Sequence, residues 1–236
     1  MSRLRAGRRR HAEAGIALGR AAGLVRRTGL GIAAGLWIAG GAGCAGSHTP
    51  SLACPAGTAL RTAERDGWCE RPDGTRHGPL WSRHRSGALA THGTAVEGRL
   101  EGTWREWHPN GRLSIEAEFR HDVLSGDFAV FGDGGTKLYA GRHDASGAMD
   151  GTWRRWWPSG ALRTEWTMRH GRHEGAVRGW YESGRPRLEG AYTGGRPTGR
   201  WTWWHPDGSV KRSCTRDPAA DPAHPDGCAL AAEASF

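Results

Sequence analysis

Cysteine, histidine and carboxylate side chains are the residues of this sequence that could do chemistry, and their spacing favours structural roles. The 236 residues include five cysteines, 12 histidines and 24 acidic residues. The histidines are scattered, and the closest pair, His170 and His173, lies in a predicted turn, which favours solvated loop residues over a metal site. Glu116, Glu118 and Glu165 alternate with apolar residues, as on the solvated face of a strand. The sequence leaves a glycosidase-like carboxylate pair open, because the separation of two carboxylates depends on the fold.

Catalytic sequence motifs are absent. The chain contains no nucleophile elbow, no HExxH and no phosphate-binding glycine loop before a helix. The glycine-rich run 132–135 is in register with turns elsewhere in the chain, which indicates a turn and not a phosphate site. The sequence therefore predicts a protein that is not an enzyme and that uses no metal and no cofactor.

Four of the cysteines form two local pairs. Cys54 and Cys69 are 15 residues apart, and Cys214 and Cys228 are 14 residues apart. Four cysteines allow three connectivities, but these short separations favour the bonds Cys54–Cys69 and Cys214–Cys228 in an oxidising compartment. A four-thiolate zinc site is the rival interpretation, and the sequence has no CxxC spacing to support it.

The basic charge of the chain is concentrated in its first 43 residues. This segment holds eight arginines and one acidic residue, a net charge of +7, whereas the remaining residues carry only +2 of the total of +9. The body is therefore not expected to bind nucleic acid. The apolar run 30–43 has 14 residues, fewer than the roughly 20 that span a bilayer. Residues 1–43 therefore favour an export signal.

The fifth cysteine follows this apolar run directly. The stretch from Gly41 to Cys44 resembles a lipobox, with glycine where that motif usually has leucine. The resemblance implies that Cys44 becomes an acylated N-terminus. The expected location is then extracytoplasmic, on a membrane through the N-terminal lipid, at the outer membrane or periplasmic face. Ordinary secretion to the periplasm, an uncleaved anchor and a start codon downstream of Met1 are the alternatives.

A 24-residue repeat organises residues 78–213. Its leading glycines are spaced by 24, 24, 25, 24 and 24 residues: Gly78, Gly102, Gly126, Gly151, Gly175 and Gly199. A second glycine follows nine residues later in every repeat: Gly87, Gly111, Gly135, Gly160, Gly184 and Gly208. Turn-forming residues such as Pro109 and Asn110 precede it, so it marks a tight turn that needs a positive φ.

Each repeat carries two rows of large apolar side chains. The first row lies two residues after the leading glycine: Leu80, Trp104, Phe128, Trp153, Val177 and Trp201. The second row lies three residues further: Trp107, Phe131, Trp156, Trp180 and Trp204, with Arg83 in the first repeat. An offset of three places the rows on opposite faces of a strand. The following segment alternates, as from Leu113 to Phe119, so each repeat predicts a β-hairpin.

At these residues the chain resembles the MORN-repeat variants, which include bacterial proteins labelled YwqK-type antitoxins. The shared pattern is G-x-W-x-x-W/Y-x-x-x-G followed by a strand, and the third repeat departs from it with one extra residue and no tryptophan. The prediction is an all-β, elongated antiparallel meander of about six hairpins. Residues 44–77 are then an N-terminal linker or cap with a cysteine pair, and residues 214–236 a C-terminal cap and disordered tail.

The two rows also give the functional prediction. Both could be packing, or arginines could cover the rings. We expect instead that the first row is the more buried and that the second row borders a ligand surface. The resemblance implies a binding or scaffolding role. The predicted function is therefore non-catalytic binding of a protein partner at the cell envelope. Glycan or peptidoglycan binding through the aromatic stripe is one alternative, and a cytosolic toxin-neutralising role is another.

Overall fold

The computed structural model describes residues 53–216, which form β-strands joined by turns. The strands make an antiparallel meander, as the repeat predicts. Within this described range no helix is long and apolar enough to cross a membrane. The predicted export signal 1–43, the predicted lipidation site Cys44 and the predicted disulfide partner Cys228 lie outside the described residues.

The described residues contain fourteen strands. Their bounds are β1 Ala59–Ala63, β2 Asp66–Glu70, β3 Arg76–Arg83, β4 Leu89–Val96, β5 Arg99–Trp107, β6 Leu113–Arg120, β7 Val123–Phe131, β8 Lys137–His143, β9 Met149–Trp156, β10 Leu162–Arg169, β11 Arg172–Trp180, β12 Pro186–Thr193, β13 Arg196–Trp204 and β14 Val210–Arg216. The chain divides into two compact parts, the first ending at Leu100 and the second beginning at Glu101. Within each part every strand pairs with its neighbours in sequence.

The segment before the repeats contains more regular structure than the sequence predicts. β1 and β2 form an antiparallel hairpin within the predicted linker 44–77, and β2 pairs with β3. The predicted Cys54–Cys69 disulfide is present. Cys214 is also disulfide-bonded, and it lies inside β14, so the last strand extends beyond the predicted repeat boundary at 213.

Five-residue turns close the predicted hairpins. In the turn 108–112, the amide of His108 donates to the carbonyl oxygen of Arg112 at 2.8 Å, and the amide of Gly111 donates back to His108 at 2.8 Å. The six predicted turn glycines share a positive φ between 81° and 94°. That conformation is costly for residues with a Cβ, which explains why glycine recurs there.

The leading glycines have a different role, which the sequence did not reveal. They lie inside strands, with φ between 65° and 117° for Gly126, Gly151, Gly175 and Gly199. The pairing with the preceding strand shifts register at each of these four positions. A glycine in the left-handed region at a register shift is typical of a β-bulge. The leading glycines of these four repeats therefore supply the left-handed backbone conformation at the bulge.

One face of the sheet is buried and largely aromatic. All six first-row side chains are at most 6% exposed, and Trp104, Trp153 and Trp201 are at most 2% exposed. Alternate residues of the second strand join them in several hairpins, such as Ile115, Ala117 and Phe119 on β6. Burying a large aromatic side chain removes about 150–250 Å² from water. The first row therefore supplies much of the core.

Small residues on the neighbouring strand make room for the indoles. A Cβ placed on Gly141 would lie 2.1 Å from the Trp153 ring, and one on Gly190 would lie 2.2 Å from Trp201. The sizes are also complementary at two other pairs of the second part, whereas Trp153 and Trp166 pair as two large residues. Ala117 pairs with Phe128, whereas the large Trp166 pairs with the small Val177. The indoles thus lie flat on the backbone, which explains how they are buried.

Candidate binding surfaces

The second aromatic row lies on the opposite, polar face of the sheet. On β5, Arg105 and Trp107 are two residues apart and share a face, while Trp104 points the other way. The Lys137 ammonium lies 5.7 Å from the centre of the Phe131 ring, and Lys137 lines a cavity together with polar-face residues. The five second-row side chains are partly exposed: Trp107, Phe131, Trp156, Trp180 and Trp204.

The turns hold this row in place. In three repeats the side chain after the second-row aromatic residue hydrogen-bonds to the backbone of the next repeat. The His108 imidazole Nε2 lies 3.0 Å from the carbonyl oxygen of Phe131, and the Tyr181 hydroxyl donates to Trp204 at 2.5 Å. The Trp157 indole N–H donates to Trp180 at 3.3 Å. Because Gly132 occupies this position in the third repeat, that turn makes no such side-chain contact.

Cross-strand ion pairs cover the polar face between the turns. Arg105 and Glu116 approach to 2.8 Å, Arg154 and Glu165 to 2.7 Å, and Arg178 and Glu189 to 3.4 Å. Their side chains are part-exposed, so each pair contributes little to stability. The sequence predicted that these arginines could lie over the second-row rings, but they bond to the glutamates. Glu116 and Glu165 lie on the solvated face, as their alternation predicts.

A shallow cavity of about 410 Å³ opens on this polar face in the second part. Ala129 and Ala140 are among its lining residues, with Arg105 and the carboxylates of Glu116 and Glu118 around them. The cavity is lined by residues of the second and third repeats, and the third is the repeat in which the sequence departs from the pattern. The surface can therefore offer charged groups, two methyl groups and neighbouring aromatic rings to a ligand.

Three side chains near the turns of the third and fourth repeats could hold a metal ion. Ligand atoms of Asp144, Asp150 and His170 all lie within 4.8 Å of one another. The structure uses them as a hydrogen-bonded cluster: His170 Nδ1 lies 3.0 Å from Asp144, and the His170 amide donates to Asp150 at 3.2 Å. Hydrogen bonds from Ser146 and His170 hold the pKa of Asp144 well below its usual range.

The prediction that His170 and His173 both lie in a turn is correct for His170 and wrong for His173. His170 lies in a tight turn and is exposed, as predicted. His173 belongs to β11, and its ring stacks on Tyr192 with centroids 4.8 Å apart. Burial lowers the pKa of His173. Beyond the register shift at Gly175, β11 remains paired with β10 as far as His173 and Arg172, and the sequence pattern gave no signal for this pairing.

Two stretches of the chain match a known protein family. Residues 100–121 and 197–216 match the family described as MORN repeat variant. These stretches correspond to the hairpins β5–β6 and β13–β14, in the second and sixth repeats. No curated protein matches the chain.

Proposed function

We propose that this protein is a non-catalytic binding module whose polar face holds a protein partner at the cell envelope. The observation that carries the proposal is the contrast between the two aromatic rows. The first row is at most 6% exposed and forms the core. The second row remains partly exposed beside the charged pairs of the opposite face. Partly exposed aromatic residues in a row are typical of a binding surface.

A protein partner suits this surface. Tryptophan, tyrosine and arginine dominate the binding energy of protein interfaces, and the polar face carries tryptophan and arginine together. The arginines are paired with glutamates, so the face offers both signs of charge and favours a partner with a matching pattern over a polyanion. A repeat array of this kind presents an extended surface, which suits scaffolding.

An extracytoplasmic location is part of the proposal. The Cys54–Cys69 disulfide supports it, because disulfides persist in oxidising compartments. The basic leader and the small residues before Cys44 support export and lipid anchoring. A cytosolic toxin-neutralising role fits these features less well. Fractionation with mass analysis of the mature N-terminus tests this part, and a Cys44→Ser variant that stays on membranes would contradict lipid anchoring.

The binding proposal is tested by cross-linking the protein to its envelope partner and comparing variants of the second row with a control variant. The double variant Trp156→Ala/Trp180→Ala should lose cross-linked capture of the envelope partner by at least about tenfold. Val123→Ala is the control, because Val123 is exposed and lies at the opposite end of β7 from the second-row residue Phe131. Capture that survives the double variant would sink the proposal. Co-sedimentation with cell-wall polysaccharide, lost in the same variant, would identify a glycan ligand instead.

A further inference from the structure

A straight row of directly opposed residues crosses the polar face of the second part. Successive strands contribute one residue each, and each residue is the pairing partner of the next: Arg105, Glu116, Ala129, Ala140, Arg154, Glu165, Arg178 and Glu189. Directly opposed residues on one face are near enough for their side chains to interact. Basic and acidic residues alternate along the row except at the two alanines.

The two alanines occupy positions where the flanking repeats place an ion pair. Ala129 lies three residues after its leading glycine, the position of Arg105 and Arg154 in the neighbouring repeats. Ala140 lies fourteen residues after it, the position of Glu116 and Glu165. The second, fourth and fifth repeats carry an arginine and a glutamate at these two positions, and the sixth repeat carries Thr202 and Ser213. The third repeat therefore interrupts the ladder between Glu116 and Arg154 with two alanines.

The missing pair leaves a notch with walls of opposite charge. Neighbouring strands lie about 4.8 Å apart, so the backbones at Glu116 and Arg154 are roughly 14 Å apart across the two alanines. The two alanines and Glu116 line the cavity of about 410 Å³, together with Arg105, Glu118 and Asp127. Arg154 bounds the notch on the other side, as the pairing partner of Ala140. Lys137 also lines the cavity and lies over the Phe131 ring, which connects the notch to the second aromatic row.

We propose that the notch receives an extended segment of a partner protein that carries a basic and an acidic side chain on one face. The basic group lies over Ala129 beside Glu116, and the acidic group lies over Ala140 beside Arg154. This inference rests on the proposed function, because it names the chemistry of the partner. Exposed ion pairs add little affinity each, so the notch sets register and specificity while the aromatic row supplies affinity.

The charges argue against a nucleic acid as the occupant. Three carboxylates, those of Glu116, Glu118 and Asp127, line the cavity against two cations, Arg105 and Lys137. This lining has a net negative charge and repels phosphates. A lone anion or a lone cation would satisfy only one of the two walls. Glu116 and Arg154 already pair with Arg105 and Glu165 on their outer sides. A segment with both charges gives each of them a second oppositely charged neighbour on the inner side, and its backbone spans the alanine methyl groups.

The test is a titration of the full chain with a short peptide, followed by amide chemical shifts. The peptide carries arginine and glutamate two residues apart within glycine and serine, and a control peptide has glutamine at both positions. The charged peptide should shift the amides of Ala129 and Ala140 with a Kd of about 1 mM or tighter. No shift at that concentration, or an equal shift with the neutral peptide, would overturn the inference.

A variant that restores the ladder provides the matched control. Ala129→Arg/Ala140→Glu copies the flanking repeats, so it should fold, and it should weaken peptide binding by at least about tenfold. Unchanged binding by this variant contradicts the notch. The envelope-capture experiment separates this result from the broader proposal. If the peptide does not bind but partner capture still depends on Trp156 and Trp180, only the notch is contradicted and the proposed function stands.

Discussion

At the scale of single residues, the buried indoles depend on the absence of a Cβ beneath them. The ring of Trp153 occupies the space that a side chain at Gly141 would need. Gly141→Ala should therefore lower the free energy of unfolding by roughly 1–3 kcal/mol through overpacking. Adding Trp153→Phe should recover part of this loss, because Ala117 with Phe128 is the same combination on neighbouring strands.

Urea denaturation of the two single variants and the double variant gives the interaction energy between the positions. A coupling near zero would mean that Gly141 is required for another reason. Gly134→Ala is the control, since a Cβ there meets no atom within 4 Å and the backbone is not left-handed.

Buried histidines predict a loss of stability in mild acid. Burial lowers the pKa of His143 and His173 below the ordinary value of 6.5, and the nearby Asp144 only partly opposes this at His143. His143 contacts Trp153 edge-on, and His173 stacks on Tyr192, which lies near Arg216. The unfolded chain therefore binds protons more readily than the folded chain below that pH.

The sign follows from linkage. The stability contributed by keeping these two histidines neutral is fully present above the ordinary pKa of 6.5. It is lost as the pH decreases toward their folded-state pKa values. Stability should therefore fall between pH 7 and pH 5. Urea titrations at both pH values measure it. A His143→Gln/His173→Gln variant should show a smaller loss, and an undiminished loss would assign it to other groups.

At the scale of elements, acidic residues before the leading glycines fix the tight turns. Glu101, Asp150 and Glu174 each accept a hydrogen bond from the backbone amide of a turn, at 2.9, 3.2 and 2.7 Å. The Glu174 bond to Gly194 is the shortest. Removing it by Glu174→Ala should cost about 1 kcal/mol, since this bond has a charged acceptor but lies in solvent.

Thermal denaturation and hydrogen exchange at the Gly194 amide measure this effect. Glu182→Ala removes the same type of side chain from a five-residue turn and should change neither. Equal destabilisation by the two variants would show that net charge, and not the turn contact, is responsible.

The sequence predicted the hairpins well because their signals are local. Each five-residue turn needs glycine at a left-handed position, and apolar residues alternate along the second strand. The role of the leading glycines was missed, since a bulge depends on the pairing with the preceding strand. β1 and β2 were missed for a similar reason: their short segments lack the repeat pattern, and they become strands because β1 pairs with β2 and β2 pairs with β3.

The candidate surface was predicted in part. An offset of three residues was enough to separate a buried row from a partly exposed row, because strand alternation is a local property. The ladder from Arg105 to Glu189 was not predicted, since opposition across strands depends on register. The alanine notch became recognisable only when that register showed which positions of different repeats face one another.

At the scale of the whole molecule, the meander predicts that a substitution destabilises mainly the strands next to it. Within the second part each strand pairs only with its neighbours in sequence, so stability is a sum of repeat and interface contributions. Trp201 contacts Tyr192 and Trp203 and is fully buried. Trp201→Ala should cost about 3–5 kcal/mol at that position.

Hydrogen exchange under native conditions distinguishes a local cost from a global one. Amides of β12 to β14 should exchange faster in Trp201→Ala, while those of β6 and β7 should keep their wild-type rates. Trp104→Ala should give the reverse pattern, because Trp104 pairs with Ala117 on β6. If both variants accelerate exchange equally in all these strands, the second part unfolds as one cooperative unit. The repeats would then share one stability, and a partner bound at the third repeat would stabilise the sixth as strongly as its own neighbours.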